Sequence, residues 1–371
     1  MRIRVPVENG DTLKALQGFL QKLLSENVVD ILLVPMRTPA GTITPALVTD
    51  PAMLVYADPL APVLPVNAAT LVGQVSARKP RPRVGAVLRS CEARALVELV
   101  KLQQASLDDI VLIAVDCAGT YGVPEYLKRT SANGRPKEDL WKELFASALQ
   151  NPAVPPESLR QACKICEQPV FDQAQVVIEL LDCNLDRQVT VTLADALGEK
   201  LGYDPAEAGQ RTEVVDKLVQ ARTVRRDAEF AAIRARMEGQ ENLTGVFAAC
   251  IRCHNCMTVC PICYCKTCVF KSQIFDHEPM QYVAWTRQKG AYRMPSDTML
   301  FHLTRLNHMA LSCVGCGMCT EACPAELPVG AVFRAIGQRV QGVFNYLPGR
   351  DLDEKPPLIT FKADEWTEVG E

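Results

Sequence analysis

Eight of the sixteen cysteines fall into two copies of one spacing. The first is Cys250-x2-Cys253-x2-Cys256-x3-Cys260, closed by Pro261, and the second is Cys313-x2-Cys316-x2-Cys319-x3-Cys323, closed by Pro324. Buried structural thiols would not repeat a four-cysteine pattern with its trailing proline. Zinc sites take C-x2-C pairs and have no use for a third cysteine at x2 with a fourth at x3. A disulfide framework belongs to exported chains, and this one opens Met1-Arg2-Ile3-Arg4 with no apolar core behind it.

The spacing is that of a two-cluster bacterial ferredoxin. There, three close thiolates hold one cubane and the fourth, before proline, crosses to the other. The pattern predicts one 4Fe-4S cluster on Cys250, Cys253, Cys256 and Cys323, and a second on Cys313, Cys316, Cys319 and Cys260.

A chain of 371 residues, 48% hydrophobic, is long enough for two domains with cores of their own. A net charge of −3 gives no basic footprint for nucleic acid. No apolar run approaches the ~18 residues of a membrane span, so direct membrane insertion is not expected. Many cysteines without an export segment point to a reducing compartment, hence the cytoplasm, and oxygen-sensitive clusters point to an anaerobe.

Residues 1–204 alternate strand and helix. Arg2 to Val7 reads as a strand, and Asp11 caps a helix carrying Leu13, Leu16, Phe19, Leu20, Leu23 and Leu24 at helical period. Val28 to Val34 reads as a buried strand, and a proline-rich stretch from Pro35 to Pro82 as loops and edge strands. Val84 to Leu88, a helix from Cys91 to Gln104, and Ile110 to Val115 make a strand–helix–strand unit. Further on, Lys137 to Leu149 reads as a helix, and Val176 to Leu181 and Val189 to Leu193 as strands. The predicted fold is an α/β domain with parallel strands followed by an α+β dicluster ferredoxin domain. The expected boundaries are 1–204 for the first domain, 205–245 for a helical linker, 246–335 for the ferredoxin and 336–371 for an extended tail. The charged helix and the acidic tail are the expected docking faces.

Cys91 follows one strand of that unit and Cys117 ends the next, so parallel pairing brings both to the carboxyl edge of the sheet, where α/β domains bind cofactors. With the chelating pair Cys163-x2-Cys166 they supply four thiolates, enough for a 4Fe-4S cluster or a zinc ion. Read singly, Cys91 and Cys117 are also what small core residues look like.

The stretch Ser90-Cys91-Glu92-Ala93-Arg94-Ala95-Leu96, then Asp116-Cys117, then Cys163-Lys164-Ile165-Cys166-Glu167, resembles the beta-subunit family of coenzyme F-420-reducing hydrogenases and formate dehydrogenases. The resemblance covers residues 1–190, with the ferredoxin pattern accounting for 245–335. It implies a third 4Fe-4S cluster on Cys91, Cys117, Cys163 and Cys166, and FAD, with electrons passed between clusters and a deazaflavin. The chain departs from the family in having Ser90 where proline usually stands. It also has no glycine from Val176 through Cys183, or before Gly198, where the family usually carries a glycine-containing segment near the flavin. No G-x-G-x-x-G follows a strand, so no nicotinamide site is expected.

Four cysteines remain: Cys183, and the C-x-C-x2-C run of Cys263, Cys265 and Cys268. They form either an additional metal site or, for Cys263 and Cys265, packing beside the first cluster. His254 reads as a supporter of the ligands, and His277, His302 and His308 as core or surface residues. No acid–base or nucleophilic constellation appears, so no catalytic residue is assigned. The expected function is an iron–sulfur electron-transfer subunit of a cytoplasmic redox complex, working between a catalytic dehydrogenase- or hydrogenase-type subunit and a flavin or other acceptor. The alternative is a non-catalytic ferredoxin-like adaptor without a flavin of its own.

Overall fold

A computed structural model describes all residues except 78–81, 132–138, 182–184, 208, 291–295 and 361–371. The chain divides into two compact units. The first holds Met1–Ala228 together with two later segments, Val314–Gly317 and Pro348–Lys355. The second holds Glu229–Cys313, Met318–Leu347 and 356–360.

The first unit is built on one sheet of β1 (Arg2–Pro6), β2 (Ile31–Arg37), β3 (Ile43–Val48), β4 (Val84–Arg89), β5 (Ile110–Val115), β6 (Val176–Glu179) and β7 (Gln188–Leu193). The strand order is β1-β7-β6-β5-β4-β2-β3. β2, β4, β5 and β6 are parallel, and antiparallel pairings with β3 and β7 flank them. Every residue of β4 is buried, as its unbroken apolar run requires of a strand covered on both faces. The helices of this unit are α1 (Thr12–Ser25), α2 (Ala69–Ser76), α3 (Ser90–Lys101), α4 (Val123–Ser131), α5 (Asp139–Gln150), α6 (Gln161–Lys164), α7 (Asp195–Leu201) and most of α8 (Arg211–Arg236).

The Asp11 carboxylate caps α1 by accepting from the Lys14 N–H at 2.9 Å. Leu16, Phe19, Leu20 and Leu23 of that helix are fully buried, each burial contributing about 1.5–3 kcal/mol. The proline-rich stretch supplies edge strand β3 and, beyond expectation, helix α2.

In the second unit the regular structure of the described residues is helical. After the end of α8 come α9 (Gln240–Val246), α10 (Asn255–Thr258), α11 (Pro279–Lys289), α12 (Ser296–Met309), α13 (Met318–Glu321) and α14 (Val329–Val343). Two of these, α11 and α12, fill the long interval between Cys260 and Cys313.

Two expected boundaries shift. The division between units falls inside α8, after Ala228, so the expected linker is not a separate element. An extended tail from residue 336 is also corrected. Residues 336–343 are the last turns of α14, whose Val329, Val332, Phe333 and Ala335 are buried. Residues 348–355 then pack as part of the first unit.

Candidate metal centres

The parallel register of β4 and β5 brings the ends of both strands to one edge of the sheet. Cys91 stands in the first turn of α3, directly after β4, and Cys117 lies two residues beyond β5. The Arg89 N–H donates to the Glu92 carboxylate at 3.0 Å, which fixes the strand-to-helix turn that carries Cys91. Cys163 and Cys166 come from α6 and the residues just after it. The structure gathers all four around a single hollow of about 410 Å³, also lined by Arg89, Thr120, Arg160 and Arg222.

Two glycines let the backbone close in. Gly119 has φ +127°, and a Cβ there would come within 3.0 Å of Leu159 and 3.3 Å of Cys163. Gly317 has φ +71°, and a Cβ would fall 2.3 Å from the Cβ of Ala162. The second glycine lies in the Val314–Gly317 segment, which belongs to this unit. That segment places Cys316 in the wall of the same hollow, where Arg160 Nη2 donates to the Cys316 carbonyl at 3.0 Å.

Burial dominates the electrostatics. It drives the Cys91 thiol well above the ordinary range, with Glu92, Cys316, Cys117 and Cys166 adding to the shift. It pushes Cys117 up to about 11, against the opposing pull of Arg89 and Arg222. Thiols this hard to ionise stay neutral unless a metal takes the place of the proton. Arg89 donates to the Ala61 carbonyl, Arg160 to the Thr120 hydroxyl at 3.2 Å, and Arg222 to the Ala118 carbonyl. These guanidinium groups complement the negative charge of a thiolate-held cluster. Four thiols around a hollow with cations in its wall fit a 4Fe-4S cluster ligated by cysteine alone.

Asp116, the residue before Cys117, is buried and doubly bound by Arg211 of α8, at 2.8 and 2.6 Å. Its carboxylate also accepts from the backbone N–H groups of Leu180 and Leu181. Burial raises its pKa, and Arg211 works in the opposite direction.

In the second unit the first cysteine motif lies beside α12. His302 Nε2 is 3.3 Å from Cys250 Sγ. Arg305 Nη1 donates to Cys256 Sγ at 3.0 Å, and its Nη2 to the Cys256 carbonyl at 3.0 Å. The Met309 sulfur is 3.9 Å from Cys260 Sγ. Cys323 lies close enough to raise the pKa values of both Cys250 and Cys256, whose main shift comes from burial.

His254 takes a left-handed backbone conformation and stacks on Phe301 at 4.5 Å, a supporting position among the ligands. Burial and nearby cations lower its pKa. Cys263 senses Cys265, Cys268 and Arg305, and Cys265 is exposed. Cys183 lies outside the described residues. Among the described residues no three His, Cys, Asp or Glu side chains converge on a single metal ion.

Sequence reasoning missed the arginines and His302. Cysteine spacing announces ligands, whereas the side chains that face the sulfurs announce themselves only by being polar residues on buried helix faces.

A 4Fe-4S dicluster domain family matches residues 246–327. The chain is 26% identical over 326 residues to the F420-dependent formate dehydrogenase subunit beta of Methanocaldococcus jannaschii, covering 80% of this chain and 81% of that one. It is 23% identical over 311 residues to the F420-dependent formate dehydrogenase 1 subunit beta of Methanococcus maripaludis, covering 75% of each. A chain of the F420-reducing [NiFe] hydrogenase complex from Methanosarcina barkeri matches with 9% identity and a TM-score of 0.45, over 65% of this chain and 94% of that one. No helix among the described residues is long and apolar enough to cross a membrane.

Proposed function

We propose that this chain, similar to the beta subunits of F420-dependent formate dehydrogenases and carrying a 4Fe-4S dicluster domain, is the iron–sulfur electron-transfer subunit of a cytoplasmic redox complex. It receives electrons from, or delivers them to, a catalytic dehydrogenase- or hydrogenase-type subunit. The 4Fe-4S clusters supply one-electron transfer. Cys250, Cys253, Cys256 and Cys323 hold the first, Cys313, Cys316, Cys319 and Cys260 the second, and Cys91, Cys117, Cys163 and Cys166 the third.

The observation that carries this reading is the gathering of Cys91, Cys117, Cys163 and Cys166 around one hollow of the first unit, with Arg89, Arg160 and Arg222 in its wall. Four thiols beside three cations are the donor set and charge balance that a thiolate-held cluster needs. The protein supplies thiolates, excludes water by burial and balances charge with Arg89, Arg160 and Arg222. Anaerobic iron analysis with EPR of the reduced protein tests the reading, and it expects three cubane signals.

The flavin implied by resemblance finds a poor fit. The hollow beside the cysteine site, about 310 Å³, is lined by Pro35, Pro45, Pro65 and aliphatic side chains, with Arg89 and Glu92 as its charged members. A diphosphate would seek free N–H groups at a helix N-terminus. At α2, beside this hollow, the N–H of Ala68 is taken by Glu92 and that of Ala69 by Asn67. This favours a second reading, in which the chain relays electrons without a flavin of its own. Denaturing the purified protein and measuring released flavin absorbance separates the two.

A further inference from the structure

The buried face of α12 runs alongside the first cysteine motif. Its positions 302, 305 and 309 meet Cys250, Cys256 and Cys260 in turn. Arg305 is only 3% exposed and sits between two rings, 5.5 Å from the centre of Phe301 and 5.1 Å from that of Phe333. A cation costs a great deal to bury unless an anion compensates it. A guanidinium stays charged in proteins, and here it donates to Cys256 Sγ and to the Cys256 carbonyl, both at 3.0 Å. His302 is 1% exposed and stacked on Phe247 with ring centres 4.0 Å apart. A ligating thiolate only accepts, so its contact with His302 Nε2 requires the proton on that nitrogen. The Arg252 N–H adds a third donor, 3.4 Å from Cys250 Sγ.

We propose that α12 raises the reduction potential of the first cubane, Arg305 and His302 donating hydrogen bonds to two of its thiolate sulfurs. Reduction adds an electron to an already anionic centre. Donors to the sulfurs and a nearby desolvated cation stabilise the reduced state, which raises the potential. Arg305 and His302 are positioning residues that act through ligands. The inference rests on the cluster assignment given above.

The experiment is a potentiometric titration of the anaerobic full-length protein followed by EPR, with iron counted on the same samples. Arg305→Met is expected to lower one midpoint by about 59 mV or more, a tenfold change in the oxidised-to-reduced ratio of a one-electron couple, with iron unchanged. Arg305→Lys, which keeps a cation, is expected to shift it less. His302→Phe keeps the stack on Phe247 and removes the donor, and is expected to lower the same midpoint by a smaller step. It decides the matter should Arg305→Met lose iron. Midpoints that all stay in place with iron retained, or that all move together, overturn the proposal. Wild-type protein with too little iron for two cubanes would instead overturn the cluster assignment.

Discussion

Arg94 of α3 donates from Nε and Nη2 to the carbonyl of Pro348, at 2.9 and 2.7 Å, across 254 residues of chain. Its Nη1 donates to the Val314 carbonyl at 3.2 Å. The helix that begins with Ser90 and Cys91 thus fastens two late segments into the first unit. The next residue, Gly349, donates its N–H to the buried Glu98 carboxylate at 2.8 Å, and Glu354 lies 3.8 Å from Lys101. A chain ending at Leu347 would leave Arg94 and Glu98 buried without these partners. We expect that truncation to lower yield and iron content, whereas a chain ending at Thr360 keeps both. Equal iron in the two truncations, measured on anaerobically purified protein, would disprove the anchoring role.

Gly349 allows a sharper test of the same joint. Its φ is +73°, and a Cβ would fall 2.4 Å from the Arg94 carbonyl oxygen, which is backbone and cannot swing away. Gly349→Ala should cost about 1–3 kcal/mol from overpacking, with a further ~1–2 kcal/mol for the left-handed conformation. A thermal melt followed by circular dichroism reads this as a fall of several degrees. An unchanged melting temperature would mean that the segment is not seated as described.

The pairing of Asp116 with Arg211 sets the position of Cys117 by holding the residue before it. Arg211→Met would leave a buried carboxylate without its cation. Such a break costs about 3–5 kcal/mol, part of it recovered by protonation of Asp116. Asp116→Asn removes the charge but keeps a side chain of the same shape, so it should cost less. The ordering of the two melting temperatures is the check, and a milder Arg211→Met would count against the pair.

Much of this architecture was legible because periodicity and cysteine spacing report local events. Asp11 as a cap, the apolar stripe of α1 and the β4–α3–β5 unit are all decided within about thirty residues of chain, where pattern is informative. Cys91 and Cys117 could be placed at one sheet edge because parallel strands leave no other choice. The return of Val314–Gly317 and Pro348–Lys355 to the first unit could not be read. It depends on Arg94 and on the shape opposite Gly317, and neither has a periodic signature. The extended tail failed for the same reason. Proline and acidic residues suggested loose chain, and the partners that order residues 348–355 lie some 250 residues away.

The iron content should be about twelve per chain, four for each cubane. Cys163→Ser should lower it by about four and leave the ferredoxin signals in place, because Cys163 lines the hollow of the first unit. A wild-type value of about eight would remove the third cluster. A loss of all iron from Cys163→Ser would mean that the thiol supports the fold rather than one centre.

The crossed ligand sets make the last prediction. Cys323 is 63 residues beyond Cys260 in the chain, yet its charge is felt at Cys250 and Cys256. The crossed pattern assigns it to the cluster of the first motif. Replacing Cys323 by Ser exchanges a thiolate for a harder oxygen donor on that cluster alone. The expected result is a changed EPR signal and a lowered potential for the centre that also responds to Arg305→Met, since Arg305 touches Cys256 of the same set. The complementary variant, Cys260→Ser, should alter the other ferredoxin centre. If Cys323→Ser and Arg305→Met acted on different signals, Cys323 would belong with Cys313, Cys316 and Cys319, and the ligand sets would be uncrossed.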